Sequence, residues 1–160
     1  MEYGHVALIG LGLIASSISH AMRRAGMAAR ITGHARTAAT RAEAARLGLC
    51  EVCDTAQAAV EGADLVILCV PVGAMAEVTA AIAPHLAAGA PVSDVGSVKQ
   101  AVIDTVAPHL PKGVAFVPAH PARPRSAPRP RRIRDAGRGG RHRLTGRKLS
   151  TQCVDARISQ

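Results

Sequence analysis

The sequence predicts an α/β protein built on a doubly wound parallel sheet, and three observations carry that expectation. Short apolar runs alternate with helix-period segments over residues 1–121, and the connections between them are brief, as when strands are joined by crossover helices. One run, Leu65-Val66-Ile67-Leu68-Cys69-Val70, is continuous and rich in β-branched residues, as a strand buried on both faces requires. A small-residue turn, Gly10-Leu11-Gly12-Leu13-Ile14-Ala15, stands between the first run and the first helix.

The elements follow in order. Val6 to Ile9 is a short buried strand ending in glycines, and Leu13 to Ala25 keeps helical period up to a stop at Gly26. Arg30 to Gly33 reads as the second strand and Thr40 to Leu47 as the second helix, closed by Gly48. Cys50 to Cys53 is a weaker third strand, followed by a short helix from Thr55 to Val60. After the strand at Leu65 to Val70 comes a helix from about Ala74 to Leu86. Pro91 to Val95 is the fifth strand, Val98 to Ala107 the next helix, and Gly113 to Val117 a last strand before Pro118. Right-handed crossovers are expected for such a chain. No internal repeat is read.

Composition divides the chain at the same place. Residues 1–122 carry eight Lys/Arg and nine Asp/Glu, whereas residues 123–160 carry twelve and two, so the net charge of +9 belongs to the end of the chain. A globally basic, nucleic-acid-binding surface is not implied. Tyr3 and Phe116 are the sole aromatics, which leaves the core to aliphatic side chains packed between helix and sheet. Cys50, Cys53, Cys69 and Cys153 are scattered, and Met1 to His5 runs straight into a strand without a signal peptide, which points to a reduced, cytoplasmic setting. Cys50 and Cys53 have CxxC spacing, but no second pair or nearby His completes a zinc site, so no metal is expected and both are read as packing or surface residues. No apolar run reaches the roughly 18 residues of a membrane helix.

The small-residue turn fits G-x-G-x-x-G/A in the strand–turn–helix position where that spacing has a mechanism. Gly10 makes the tight turn, Gly12 lets a pyrophosphate approach the backbone, and Ala15 keeps helix and strand close. The amides of Leu13 and Ile14 open the helix, whose N-terminus attracts phosphate. The sheet is therefore expected to be Rossmann-like and to bind NAD or NADP. At the end of the second strand, Gly33-His34-Ala35-Arg36-Thr37 lacks the acid that would hold a ribose 2′-hydroxyl. Arg36 can clamp a 2′-phosphate with His34 and Thr37 as supporting donors, which leans to NADP. The alternative is that Arg36 is solvated and NAD binds without a carboxylate partner.

Two later segments sit at carboxyl ends of strands, where open α/β sheets bind their ligands: Asp94-Val95-Gly96-Ser97-Val98-Lys99 and Phe116-Val117-Pro118-Ala119-His120-Pro121. With the front turn and Leu68-Cys69-Val70-Pro71-Val72-Gly73, they make residues 5–121 resemble the prephenate and arogenate (cyclohexadienyl) dehydrogenases of tyrosine biosynthesis. The resemblance implies an NAD(P)-dependent oxidative decarboxylation of prephenate or arogenate, in which the hydroxyl-bearing ring carbon gives up a hydride and the ring becomes aromatic. It implies that His120 assists deprotonation of the substrate hydroxyl, that Ser97 hydrogen-bonds that histidine and the hydroxyl, and that Val70 and Pro71 lie along the cofactor. It also implies a homodimer. From the residues alone, His120 reads sooner as a turn residue before proline than as a catalytic one, and Ser97 can be the cap of a helix starting at Val98. His5, His20, His34, His85, His109 and His142 show no metal-ligand spacing and read as surface or structural. A related small-acid dehydrogenase is a further reading, disfavoured by the two segments just quoted.

After Pro121 the family continues into an Ala-Gly segment and a helical domain that forms the dimer and supplies an arginine for the substrate carboxylates. Here the text changes to Ala122-Arg123-Pro124-Arg125 and stays rich in Arg, Pro and Gly. Residues 122–160 are expected to be disordered, and the abrupt change at a motif boundary is what a shifted reading frame in a GC-rich gene produces. On that expectation NAD(P) binding is weak or absent, prephenate is not turned over and the dimer is doubtful. The alternative takes the segment at face value, as a basic arm that docks an NAD(P)-binding module on nucleic acid or an anionic membrane. It carries no aromatic for base stacking and no recognition module, so neither a specific nucleic acid nor a membrane partner is expected.

Overall fold

The computed structural model describes residues 2–119. His120, Pro121 and residues 122–160, with the disorder, frameshift and basic-arm expectations that fall on them, lie outside the described residues.

Six strands form one parallel sheet: β1 (Tyr3–Ile9), β2 (Ala28–His34), β3 (Glu51–Val52), β4 (Leu65–Leu68), β5 (Val92–Asp94) and β6 (Phe116–Val117). Their spatial order is β3-β2-β1-β4-β5-β6, and each neighbouring pair is parallel. Five helices connect them: α1 (Leu13–Ala25), α2 (Ala38–Arg46), α3 (Ala56–Val60), α4 (Val72–Ile82) and α5 (Lys99–Val106). The order reverses between β1 and β4, which makes their carboxyl ends the switch point of the sheet.

Alternation along the two central strands builds a core on each face. Val6 and Leu8 of β1 with Leu65 and Ile67 of β4 pack under Ala15 and Met22 of α1. Ala7, Ile9, Val66 and Leu68 point to the other face and meet Met75 and Ile82 of α4 and Val102 and Val106 of α5. Both strands are thus buried on both faces, as the continuous apolar runs required.

The elements differ from the sequence reading mainly at their ends. β1 and β2 extend beyond their apolar runs because pairing continues through Tyr3↔Ala28 and Ile9↔His34. Helices α2 and α3 start just after Thr37 and Thr55, whose hydroxyls accept the amides of Thr40 and Ala58. Helix α4 begins at Val72 rather than Ala74, because Pro71 at the N-cap needs no amide partner. It ends at Ile82, and α5 ends at Val106, each followed by a 3-10 turn of identical sequence, Ala-Pro-His-Leu at 83–86 and 107–110. That tetrapeptide is a repeat the reading above did not register, and its proline closes the preceding α-helix by removing a donor.

His5 is structural. Its Nε2 lies 2.8 Å from Thr32 Oγ1, which donates at 2.6 Å to the carbonyl of Ala59. The threonine proton is committed to the carbonyl, so the imidazole Nε2–H is the donor, and a buried chain of bonds ties β1, β2 and the end of α3 together. His20, His85 and His109 are exposed. Cys50 is buried under β2 and Cys53 is partly buried against the opposite core.

Close packing against β2 fixes the identity of Gly33. A β-carbon there would stand 2.6 Å from Leu11 Cδ2, 2.8 Å from Cys50 Sγ and 3.1 Å from the carbonyl of Leu8, while one at Gly73 in α4 meets nothing within 4 Å. Gly33→Ala is expected to lower unfolding stability by about 1–3 kcal/mol, and Gly73→Ala to leave it unchanged or raise it by up to about 1 kcal/mol. Urea denaturation of the two variants checks this, and equal effects would contradict it.

Candidate functional site

The turn after β1 is shaped by its approach to β4. Gly10 has φ 100°, its amide donates to the carbonyl of His34 at 2.8 Å, and a β-carbon there would lie 2.8 Å from both the carbonyl carbon and oxygen of Cys69. No side chain fits, so the chain can pass directly over the end of β4. Gly12 is the N-cap of α1 and offers no side-chain cap. A β-carbon on it would meet nothing within 4 Å, so space above the helix N-terminus is open. The first bond of α1 runs from Ser16 N to the carbonyl of Gly12, which leaves the amides of Leu13, Ile14 and Ala15 without helical partners. The Leu13 side chain is 89% exposed and Ile14 is exposed as well, so both offer the site their backbone, while Ala15 is buried against the sheet.

Beside this turn lies a groove of about 360 Å³ lined by Gly10, Gly12, Arg36, Thr37, Val70 and Pro71 among others. Six of the residues singled out from the sequence are thereby brought together, from the ends of β1, β2 and β4. Arg36 is exposed, and among the described residues its guanidinium makes no hydrogen bond or ion pair. The Thr37 hydroxyl caps α2 and shares a 2.7 Å bond with Thr40 Oγ1. Open backbone at a helix N-terminus, a glycine over β4 and a free cation at the end of β2 fit a dinucleotide.

His34 Nδ1 lies 3.0 Å from the carbonyl of Cys53, which only accepts, so Nδ1 is the donor in that bond and Nε2 is the ring nitrogen left for another partner. Cys69, which also lines the groove, has its thiol pushed up to about 12 by burial and the nearby Asp94 carboxylate, so it stays protonated and is no nucleophile at neutral pH.

A second centre lies at the end of β5, and the sequence reading passed over its central residue. Asp94 is fully buried. Its carboxylate accepts from the Gly96 amide at 2.6 Å, from Lys99 Nζ at 2.8 and 3.0 Å, and from the Ala119 amide at 3.3 Å. One side chain therefore joins the loop carrying Ser97 to the segment leading to residue 120. Ser97 itself is exposed and does not line the groove. It does not cap α5 either, since the N-cap is Val98 and no side chain bonds there. The signal for Asp94 was an acid ending an apolar strand with Gly two and Lys five residues on. Asp94→Asn is expected to cost about 1.5–3 kcal/mol of stability through its charge-assisted bonds, and Asp94→Ala more. Chemical denaturation tests this, and a loss below about 0.5 kcal/mol for either variant would contradict it.

Residues 18–123 match the family model described as prephenate dehydrogenase, nucleotide-binding domain. That span starts within α1, so the glycine turn stands as separate support. The chain is 42% identical over 120 residues to a cyclohexadienyl dehydrogenase of Zymomonas mobilis, covering 74% of this chain and 41% of that protein. It superimposes with a TM-score of 0.67 and 26% identity on a prephenate dehydrogenase of A. aeolicus solved with hydroxyphenyl propionate and NAD+, covering 76% of this chain and 42% of that one. A Synechocystis arogenate dehydrogenase matches with a TM-score of 0.55 and 26% identity, over 63% of this chain and 37% of that one. The chain thus spans about two fifths of the length of these relatives. With its glycine turn, switch-point groove and matched sequence, it belongs to the prephenate dehydrogenase nucleotide-binding domain family.

Proposed function

We propose that this domain is the cofactor-binding part of an NAD(P)-dependent prephenate or arogenate dehydrogenase and that it favours NADP. The observation that carries the reading is the groove at the switch point, which brings Gly10, Gly12 and the opening of α1 beside Arg36 and Thr37, so that on this reading the first group receives the pyrophosphate and the second the ribose 2′ end. Its lining residues fall between Gly10 and Val78. Saturable binding is therefore expected of the chain as given, where the frameshift expectation had binding weak or absent.

Bound nicotinamide supplies the hydride acceptor. The chain's own residues orient and deprotonate: His120 takes the proton of the substrate hydroxyl as the ring carbon beneath it is oxidised, and an imidazole suits that step because its ordinary pKa lies near working pH. Ser97 holds the imidazole and the hydroxyl in line. Loss of carbon dioxide then leaves an aromatic ring, which supplies the driving force. Support for these roles is the match of Ser97 and His120 to the family's motifs and the Asp94 link between the loop of Ser97 and the amide of Ala119. Substrate is a small molecule, prephenate or arogenate, the family's homodimer is part of the proposal, and the setting is cytoplasmic.

Calorimetric titration of the full chain tests the cofactor reading. NADPH is expected to bind at one site per chain about tenfold more tightly than NADH, and Arg36→Ala to remove that difference, as a charge-assisted contact worth about 1.5–3 kcal/mol would. Equal affinities for the two dinucleotides would overturn the preference, and no saturable binding of either would overturn the site.

A further inference from the structure

Arg41 lies in the first half of α2, and the sequence reading gave it no role. Its side chain is 23% exposed, and its Nη1 donates to the carbonyls of Ala35, at 2.9 Å, and Arg36, at 3.3 Å. Its Nε stands 4.0 Å from Asp54 Oδ1, a fully exposed carboxylate, and such a pair adds little. The guanidinium is therefore committed to two consecutive carbonyls of the turn between β2 and α2. That turn also carries Arg36 and Thr37, and Ala35, Arg36 and Thr37 all line the groove beside Gly10 and Gly12.

A turn of three residues between a strand and a helix can rotate its peptide planes at low cost unless something holds them. Here Thr37 anchors the helix side by capping α2, and Gly10 anchors the strand side by bonding the carbonyl of His34. The carbonyls of Ala35 and Arg36 fall between those anchors, and Arg41 is what fixes them. With both carbonyls drawn toward Arg41, the peptide on either side of the Arg36 α-carbon is set, and so is the direction in which the Arg36 side chain leaves the backbone. Both bonds leave one nitrogen, Nη1, whose two hydrogens are held in the rigid guanidinium plane, whereas an ammonium rotates freely at the end of a flexible stem.

We propose that Arg41 is a positioning residue for cofactor choice: it braces the β2–α2 turn so that Arg36 and Thr37 are presented to a ribose 2′-phosphate. The proposal rests on the NADP reading above. Its action runs through Arg36, so it changes the ratio of NADPH to NADH affinity rather than dinucleotide affinity as a whole.

The test is titration of the full chain and its variants with NADPH and with NADH. Arg41→Ala is expected to weaken NADPH about fivefold to tenfold and NADH less than twofold, and Arg41→Lys to fall between it and the original chain. In an Arg36→Ala background, Arg41→Ala is expected to change the ratio by less than twofold. Equal weakening of both dinucleotides, an unchanged ratio, or full additivity with Arg36→Ala would overturn the proposal. Should Arg41→Ala fail to fold, Arg41→Lys carries the test, and an unchanged ratio there overturns it. Failure of the parent reading looks different, because the original chain and Arg36→Ala would then both bind NADPH and NADH alike.

Discussion

The close pass of β1 over β4 at Gly10 is the constraint on which the rest of the site depends. The Cys69 amide donates to the carbonyl of Ile9 at 2.7 Å, the last rung between the two strands, and one residue later the chain turns with no room for a β-carbon against Cys69. From that point β1 feeds α1 on one face of the sheet, while β4 feeds α4 on the other, where the second core lies. The crevice between them is a consequence of topology. What the sequence adds is backbone left bare: among the described residues Gly12 is open above the helix end and the first amides of α1 have no partner.

Two anchors of opposite charge then shape the ends of the neighbouring strands. At the end of β2 a cation, Arg41, holds two carbonyls. At the end of β5 an anion, Asp94, holds two amides and an ammonium. Each satisfies backbone groups in an irregular loop, which would otherwise be costly to bury. Each also stands next to residues proposed for the site, Arg36 and Thr37 in one case and the loop of Ser97 in the other. On the proposed reading, the cofactor side is built within Gly10 to Val78 and the substrate side is reached through Asp94.

Much of this was legible in the sequence because it rests on short-range rules. The apolar runs of β1 and β4 gave burial on both faces, and the glycine turn located the switch point. Arg36 and Thr37 were reached from the run that precedes the end of β2 and Val70 and Pro71 from the family resemblance, and all four line the groove. What escaped notice depends on contacts between distant residues. Asp94 reaches Ala119 across 25 positions, and periodicity says nothing of such a bond. His34 donates to the carbonyl of Cys53, 19 residues away, a bond that no local pattern announces. Arg41 drew no reading, because a side chain that bonds backbone carbonyls leaves no trace in a charge pattern. Helix ends moved by one to four residues wherever a threonine cap or a proline, rather than the apolar period, set the boundary.

The central claim is that the bare backbone opening α1 receives the phosphates of a dinucleotide. The most direct measurement is the change in backbone amide chemical shifts of the full chain as NADPH is added. The account predicts saturating shifts at Gly10, Gly12, Leu13, Ile14 and Ala15, together with Arg36, Thr37 and Val70. Shifts confined to the arginine-rich residues beyond 122, with the glycine turn unmoved, would mean that the ligand is held by charge alone, and would contradict it.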